Sequence, residues 1–155
     1  MSTATPTTAT SDRVPKQGNV LTVIIALLSL GGLADAIYLT IEHITGQSVR
    51  CTIIAGCSEV LSSPYAVVAG FPLASIGALA YFSVFSLATL TVFGYKGTRG
   101  LLTILVAGMF LVSLWLIYLQ AFVIHSFCQY CLFSAGITTF LTVIVFLARR
   151  KSAVV

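Results

Sequence analysis

The chain has 155 residues, of which 58% are hydrophobic and only 8% are charged. Soluble domains carry roughly 25% charged residues, so this composition excludes an ordinary soluble domain and indicates a membrane protein. The net charge of +4 does not indicate nucleic-acid binding, because the basic residues flank apolar segments instead of forming one patch.

The N-terminal region combines a polar tail with a first apolar run. Residues 1–19 are rich in Ser, Thr, Ala and Pro, which predicts a disordered tail. The run from Val20 to about Ile41 has the roughly 20 residues that a helix needs to cross a membrane. Arg13, Lys16 and the small-residue run Ala34-Asp35-Ala36 also resemble a signal peptide. Because the apolar run continues past that cleavage-like site, we favour a membrane span.

Three further apolar runs predict three further spans, at residues 72–93, 101–124 and 128–147. Seven of the eight Lys and Arg residues lie on one side of the membrane if the chain crosses it four times. This bias places both termini in the cytoplasm of a multi-pass protein of the cell inner or plasma membrane. The fold prediction is therefore an all-α membrane protein, a four-transmembrane-helix bundle over residues 20–148, followed by a basic tail at 149–155.

The connection between the first two predicted spans is unusually long. Loops of this length are usually functional or disordered. Residues 42–71 contain apolar residues, two cysteines and few charges, so we expect an ordered extracytoplasmic loop. Within it, Ser58 to Tyr65 is predicted to form a short helix at the membrane surface.

The four cysteines form two pairs that the topology places on the same, oxidising side of the membrane. Cys51 and Cys57 lie in the long connection, and Cys128 and Cys131 form a Cys-x-x-Cys at the start of the last span. A thiol at a helix N-terminus is favoured as thiolate, and the thiolate is the nucleophile of disulfide exchange. The sequence therefore predicts two redox-active pairs that exchange electrons.

Other readings of these cysteines remain open. Cys128 and Cys131 could form a static disulfide, and Cys51 and Cys57 could tie the loop down. A zinc site would need all four thiolates, and the five residues between Cys51 and Cys57 exceed the usual ligand spacing. We therefore expect no metal site. The alternative function is that of a thiol-based membrane protein that binds or transports a metal.

Polar residues also occur inside the predicted spans. Gly31, Asp35, Tyr38 and Glu42 recur at helical spacing and should share one face of the first span. An acidic residue within a membrane span is a candidate functional group, although Asp35 could also simply reach interfacial water. Gln120 shares a face of the third span with Ser113, which favours interhelical contacts. Near the last span, His125 could stabilise a thiolate or be merely solvated.

Three segments resemble the vitamin K epoxide reductase family, as a bacterial single-domain homologue. Cys57-Ser58-Glu59-Val60-Leu61-Ser62-Ser63-Pro64-Tyr65-Ala66 is similar to the family's loop signature, and Phe71-Pro72-Leu73-Ala74-Ser75-Ile76-Gly77 resembles the start of its second helix. Ile117-Tyr118-Leu119 followed by Phe127-Cys128-Gln129-Tyr130-Cys131 resembles the end of its third helix and its Cys-x-x-Cys. The similarity covers roughly Val20 to Leu147.

The resemblance implies a four-helix bundle around a quinone of the menaquinone or ubiquinone type. By match, Cys131 contacts the quinone, Cys128 exchanges with Cys57, and Cys51 meets a thioredoxin-like partner. Ser62 or Ser63 would help to cover the quinone pocket, and Asp35 is a further candidate for quinone binding. Leu73 and Ala135 stand where animal members carry an asparagine and a tyrosine that hydrogen-bond the quinone.

The implied activity is that of a quinone-dependent thiol oxidoreductase that generates protein disulfides. Some bacterial members carry a fused thioredoxin-like domain, whereas this chain ends at Val155. We therefore expect a separate, DsbA-like thioredoxin-fold partner. The DsbB type of enzyme also has four spans and uses a quinone, but its Cys-x-x-Cys precedes its spaced pair, the reverse of the order here.

Overall fold

The computed structural model describes residues 16–46, 56–95 and 97–153. Its helices are α1 (Lys16–Thr45), α2 (Cys57–Ser62), α3 (Leu73–Val92), α4 (Thr98–Leu119) and α5 (Gln129–Ala153). The connection after α2 contains a 3₁₀ turn at Pro64–Ala66 and two short strands, β1 (Val67–Val68) and β2 (Phe71–Pro72). A π-helical turn, Gln120–Ile124, follows α4.

Four segments of the described chain are long and apolar enough to cross a membrane, at Val20–Thr45, Leu73–Val92, Thr98–Ile124 and Gln129–Arg150. Helix α1 packs against α3 and α5, and α4 packs against the same two helices. Each long helix therefore has two neighbours, and the four close into a bundle. This arrangement confirms the predicted all-α membrane fold.

Two helix boundaries differ from the prediction. Helix α1 begins at Lys16, inside the segment predicted as a disordered tail, and residues 1–15 lie outside the described residues. Helix α5 continues to Ala153, well into the predicted basic tail. Both extensions contain basic residues, which continue a helix readily because Lys and Arg have good helix propensity.

The bundle has one main hydrophobic core, in the half away from the cysteines. Its buried members come from all four long helices and include Ile25, Val84, Val106 and Leu141. Many large apolar side chains are nevertheless exposed, including Leu27, Leu79, Ile104, Leu111 and Phe140. Such a surface suits the hydrocarbon core of a membrane, where lipid tails keep exposed apolar side chains out of water.

Tyr81 provides the main polar contact inside the bundle. Its hydroxyl donates a hydrogen bond to the Ser134 carbonyl (2.9 Å) and lies 2.9 Å from the Thr138 Oγ1. The ring lies directly against Gly32 of α1, where any Cβ would collide with it. Gly32 therefore allows α1 to approach α3 closely, as small residues do in membrane helix packing.

The connection between α1 and α3 is partly ordered into secondary structure. The predicted short helix appears as α2 and the following 3₁₀ turn. The strands β1 and β2 then form an antiparallel hairpin that the sequence did not suggest. Its two turn residues, Ala69 and Gly70, both have positive φ (53° and 85°), as a tight hairpin turn requires. Residues 47–55, which include Cys51, lie outside the described residues.

Candidate functional site

The turn that carries Cys128 is built by an irregular end of the third span. The π-helical turn Gln120–Ile124 stops at His125, which has a left-handed conformation (φ 55°). The Ser126 N–H then donates to the Gln120 carbonyl (3.2 Å). Single π turns are frequent at functional sites, and this one reverses the chain so that Cys128 points back into the bundle.

Cys128 is fixed by hydrogen bonds on both of its backbone groups. Its carbonyl accepts from the Leu132 N–H (3.0 Å), which makes Cys128 the N-cap residue immediately before α5. Its N–H donates to the Gln120 side-chain oxygen (2.9 Å). Gln120 is only 2% exposed, so this buried amide sets the position of the thiol. The sequence suggested only an interhelical contact for Gln120, and nothing in the residue spacing indicated this role.

The two thiols of the Cys-x-x-Cys are free and differ in environment. Cys128 is fully buried, whereas Cys131 is partly buried and lines a cavity. A hydrogen bond from the Cys131 thiol lowers the pKa of Cys128 to about 7, against the opposing effect of burial. Cys128 is thus the thiol that ionises near neutral pH, and a low pKa also makes a thiol a better leaving group in disulfide exchange.

Cys57 lies beside Cys128. The two cysteines belong to one small buried cluster with Leu39 and Val60, and their side chains are 1% and 0% exposed. Cys57 is disulfide-bonded, and since Cys128 and Cys131 carry free thiols, that bond is to neither of them. The structure therefore brings together three of the four predicted redox cysteines.

Gly56 permits the close approach of the Cys57 segment to the Cys128 turn. It has a φ of 137°, a conformation that residues with a side chain rarely adopt. A Cβ at this position would lie 3.0 Å from the Phe127 carbonyl oxygen and 3.2 Å from the Ser126 Cβ. A second contact joins the same two segments, because the Ser126 hydroxyl donates to the Glu59 carboxylate (2.8 Å).

An apolar cavity of about 140 Å³ opens beside Cys131. All four long helices and the α2–hairpin connection contribute to its walls, including Leu39, Leu61, Leu73, Leu116, Ile117 and Ala135. A few polar side chains interrupt this lining, among them Asp35, Ser63, Tyr81 and Gln120. An apolar pocket with a few polar groups is the usual form of a small-molecule site.

Of the residues predicted to bind the quinone, some line the cavity and one does not. Asp35 and Ser63 line the cavity, and so do Leu73 and Ala135. Ser62 is exposed, and its hydroxyl donates to the Glu59 carbonyl (3.3 Å). The two adjacent serines therefore face different ways.

The predicted polar face of α1 is divided in the structure. Asp35 faces the cavity, whereas Gly31 lines a separate apolar groove against α5. Tyr38 instead pairs with Tyr130, with ring centroids 5.3 Å apart. Farther from the site, His125 is exposed. Within the described ranges, no three His, Cys, Asp or Glu side chains are grouped to hold a metal ion.

The sequence model of the vitamin K epoxide reductase family matches residues 23–146, which is most of the chain. The match spans all four membrane helices, the Cys57 segment and the Cys-x-x-Cys turn. It agrees with a site in which Cys131, one thiol of a free pair, lines an apolar cavity between the long helices. The chain therefore belongs to the vitamin K epoxide reductase family, and this membership supports a quinone-linked oxidoreductase role in the membrane.

Proposed function

We propose that the protein reoxidises a separate thioredoxin-fold partner and passes the electrons to a membrane quinone. The observation that carries this proposal is the burial of Cys57 and Cys128 in one cluster, with Cys131 at the wall of an apolar cavity. This arrangement supports exchange between Cys57 and Cys128 and gives Cys131 access to a lipid-soluble molecule. A purely structural disulfide would need no free thiol pair beside such a cavity.

The proposed relay consists of successive thiol–disulfide exchanges, first between the partner and the Cys51–Cys57 pair and then between that pair and Cys128–Cys131. A reduced partner attacks the Cys51–Cys57 disulfide at Cys51, and Cys57 leaves as a thiolate. Cys57 then attacks the sulfur of Cys128 in an oxidised Cys128–Cys131 pair, and Cys131 leaves. The partner's second thiol attacks the partner–Cys51 disulfide, so the partner leaves oxidised and Cys51 is freed. Attack by the freed Cys51 on the Cys57–Cys128 disulfide then releases Cys128 and restores the Cys51–Cys57 bond. Each step exchanges one disulfide for another, so the electron pair moves from the partner to Cys128 and Cys131.

The cavity residues fit a quinone ring. The lining is mainly apolar, which suits the ring and its isoprenoid tail, and Ser63 and Asp35 provide polar contacts. A bound quinone would supply the two-electron acceptor that regenerates the Cys128–Cys131 disulfide. The chain's own contribution is to hold Cys131 at the cavity and to keep Cys128 reactive through its lowered pKa.

The Cys131→Ser variant tests the relay. Disulfide exchange passes through a mixed disulfide that a resolving thiol normally breaks. Without Cys131, the pair cannot be reoxidised, and we expect quinone reduction to cease. The Cys128 thiolate can still attack the Cys51–Cys57 disulfide at Cys57, which is the reverse of the proposed exchange and frees Cys51. With no Cys131 to break the new bond, a Cys57–Cys128 disulfide should accumulate, and non-reducing peptide mapping detects it. Cys131→Ser protein that yields only a Cys51–Cys57 link would contradict the proposed order.

Mass spectrometry of the quinone that co-purifies with the protein identifies the electron acceptor.

The Cys51→Ser variant separates a shuttle from a loop staple. A shuttle that loses Cys51 cannot meet the partner, so partner-driven quinone reduction should fall to background. Dithiothreitol can reduce Cys128–Cys131 directly, and that activity should remain. A disulfide that only stabilises the loop contributes typically 2–4 kcal/mol, and its loss would lower both activities together with the melting temperature in detergent.

We also propose that both termini face the cytoplasm and the cysteines face the outside. The asymmetry of Lys and Arg residues supports this orientation. A membrane-impermeant maleimide added to intact, reduced cells should label the native cysteines but not Thr98→Cys in an otherwise cysteine-free chain. Labelling of Thr98→Cys from outside would reverse the orientation.

A further inference from the structure

Asp35 has a buried oxygen that the rest of the protein leaves unpaired. Among the described residues, its Oδ2 is the buried side-chain oxygen or nitrogen without a hydrogen-bond partner. Burying an unpaired polar atom costs free energy, and buried polar groups in proteins almost always have partners. Because Asp35 lines the cavity, a molecule that enters the cavity is a candidate partner for this carboxyl group.

Several other polar groups around this cavity have hydrogen-bond partners within the protein. The Gln120 amide oxygen accepts from the Cys128 N–H, and the Ser63 hydroxyl donates to the Val60 carbonyl (2.7 Å). Tyr81 is held by Ser134, which lines the cavity as well, and by Thr138. Among the described residues of this lining, Asp35 is the acidic group and has a buried oxygen without a hydrogen-bond partner.

The charge of Asp35 also reaches the reactive thiols. A negative charge on this carboxyl acts to raise the pKa of Cys128, in opposition to the hydrogen bond from Cys131. The other titratable groups of the described lining are His43, Tyr65, Tyr81 and Cys131, and no Lys or Arg is among them. A proton on Asp35 and a negative charge on Cys128 therefore favour each other electrostatically.

We propose that Asp35 is a catalytic residue that hydrogen-bonds an oxygen of the quinone ring and gives it a proton. The inference rests on the proposed function and identifies the side chain that supplies a proton to the quinone. A protonated carboxyl donates to a quinone carbonyl oxygen, and the carboxylate left behind accepts from the quinol hydroxyl. One side chain therefore pairs with both redox forms of the same ligand.

The step balances in protons and electrons. The Cys128 thiolate and the Cys131 thiol form a disulfide and give up two electrons, and the Cys131 sulfur loses its proton. Two protons, one from Cys131 and one from Asp35, end on the two ring oxygens, so the quinone leaves as quinol. Asp35 then takes a proton from water, which replaces the one that Cys128 released to water when it ionised.

The test compares Asp35→Asn with Asp35→Glu, and with Glu42→Gln as the control acid on the same helix. Menadione binding is measured by calorimetry and dithiothreitol-driven menadione reduction by absorbance. Asn still donates a hydrogen bond, so binding should persist, but it has no proton to give. The reduction rate should fall ~100-fold or more, the usual contribution of a general acid, and Glu should restore most of it. Glu42→Gln should match the wild type.

A second measurement does not depend on turnover. The infrared difference spectrum between the menadione-bound and menadiol-bound protein should contain the carbonyl stretch of a protonated carboxylic acid. This band should be absent in Asp35→Asn, shifted in Asp35→Glu and retained in Glu42→Gln. Because the wild type alone must show the band, the proposal stays testable even if Asp35→Asn does not fold.

The outcomes separate the two proposals. If the wild type neither binds menadione nor reduces it, the proposed function fails and the role of Asp35 fails with it. If the wild type does both and Asp35→Asn reduces menadione at the same rate, only the role of Asp35 is overturned. An infrared difference spectrum without a carboxylic acid band in the wild type overturns it as well.

Discussion

The two ends of the bundle are built on different principles. At the end away from the cysteines, regular helices pack apolar side chains such as Val84, Val106 and Leu141 into a dry core. At the cysteine end, the third span widens into a π turn, His125 has a left-handed conformation, and Gly56 lies against backbone. The core end follows from helix propensity and apolar packing, whereas the cysteine end is held by a few specific hydrogen bonds.

This difference indicates how the two ends should respond to change. Irregular backbone is kept where the surrounding contacts determine it, and it is concentrated at functional sites. Substitutions in the core should therefore alter stability and leave the thiols unchanged. Substitutions that remove hydrogen bonds at the cysteine end should change the pKa and reactivity of the thiols more than the free energy of unfolding.

The largest effect on stability is expected for Leu141→Ala. Leu141 is fully buried in the core cluster, and truncating a buried Leu to Ala costs ~2–5 kcal/mol through lost burial and a residual cavity. Thermal unfolding in detergent measures this loss. Phe140→Ala is the control, because Phe140 is exposed to the surroundings and its truncation should matter much less. A change in the pKa of Cys128 in folded Leu141→Ala protein would contradict the separation of the two ends.

Gln120→Leu should lose less stability than Leu141→Ala but should lose more of the quinone reduction activity. The substitution leaves the buried Cys128 N–H without its acceptor, which costs ~1–3 kcal/mol. The Cys128 amide should exchange hydrogen faster, and quinone reduction should fall. Ser113→Ala, two turns earlier on the same face of α4, is the matched control and should leave the amide exchange unchanged. Unaltered exchange at Cys128 in Gln120→Leu would show that the side-chain contact does not hold the turn.

The pH dependence of Cys128 provides the next test. Its pKa of about 7 comes mainly from the Cys131 thiol, so thiolate absorbance should rise with a midpoint near pH 7 in reduced protein that lacks Cys51 and Cys57. The lowered pKa also means that the unfolded state binds more protons between pH 7 and the ordinary thiol pKa. The contribution of Cys128 to stability should therefore grow with pH across that range and vanish below pH 7.

Cys131→Ala is the control for this titration. It removes the donor that lowers the pKa of Cys128, so the midpoint should move upward toward the ordinary value for a thiol. A midpoint that stays near pH 7 in Cys131→Ala would assign the lowered pKa to the helix N-terminus instead.

The sequence predicted the core end well and the cysteine end only in outline. Long apolar runs specify membrane helices because unpaired backbone groups are too costly in lipid. The position of the Cys-x-x-Cys at a helix start was equally predictable. The π turn was not, because one extra residue in a helix leaves no trace in hydropathy. The hairpin turn at Ala69 and Gly70 lacks the usual Asn-Gly signal.

Side-chain direction was the other part that the sequence could not supply. Ser62 and Ser63 are adjacent and chemically identical, and only the end of α2 determines which one faces the cavity. Likewise, Gly31 and Asp35 are four residues apart, as expected for one helix face. They line different cavities because α1 is contacted by both α3 and α5.

The smallest effect is expected for Glu59→Gln. Its carboxylate accepts the Ser126 hydroxyl across 2.8 Å and so links α2 to the Cys128 turn. Because Glu59 is exposed, this contact should add little to stability, ~1 kcal/mol or less. It should instead favour the approach of Cys57 to Cys128. Gln retains an acceptor oxygen but loses the charge, so we expect a modest slowing of the exchange from Cys57 to Cys128. Ser126→Ala, which removes the donor, should have at least as large an effect.

The readout is the rate at which the partner reduces the Cys128–Cys131 pair, followed by rapid acid quench and alkylation. Dithiothreitol-driven reduction serves as the internal reference, because it bypasses the loop and should be unaffected. Ser58→Ala is the matched control on the same exposed side of α2. A double variant of Glu59 and Ser126 should be no slower than Ser126→Ala alone, since both changes act on the same contact. Additive slowing in the double variant would mean that the two side chains act separately and that the loop is held by Gly56 and the buried cluster alone.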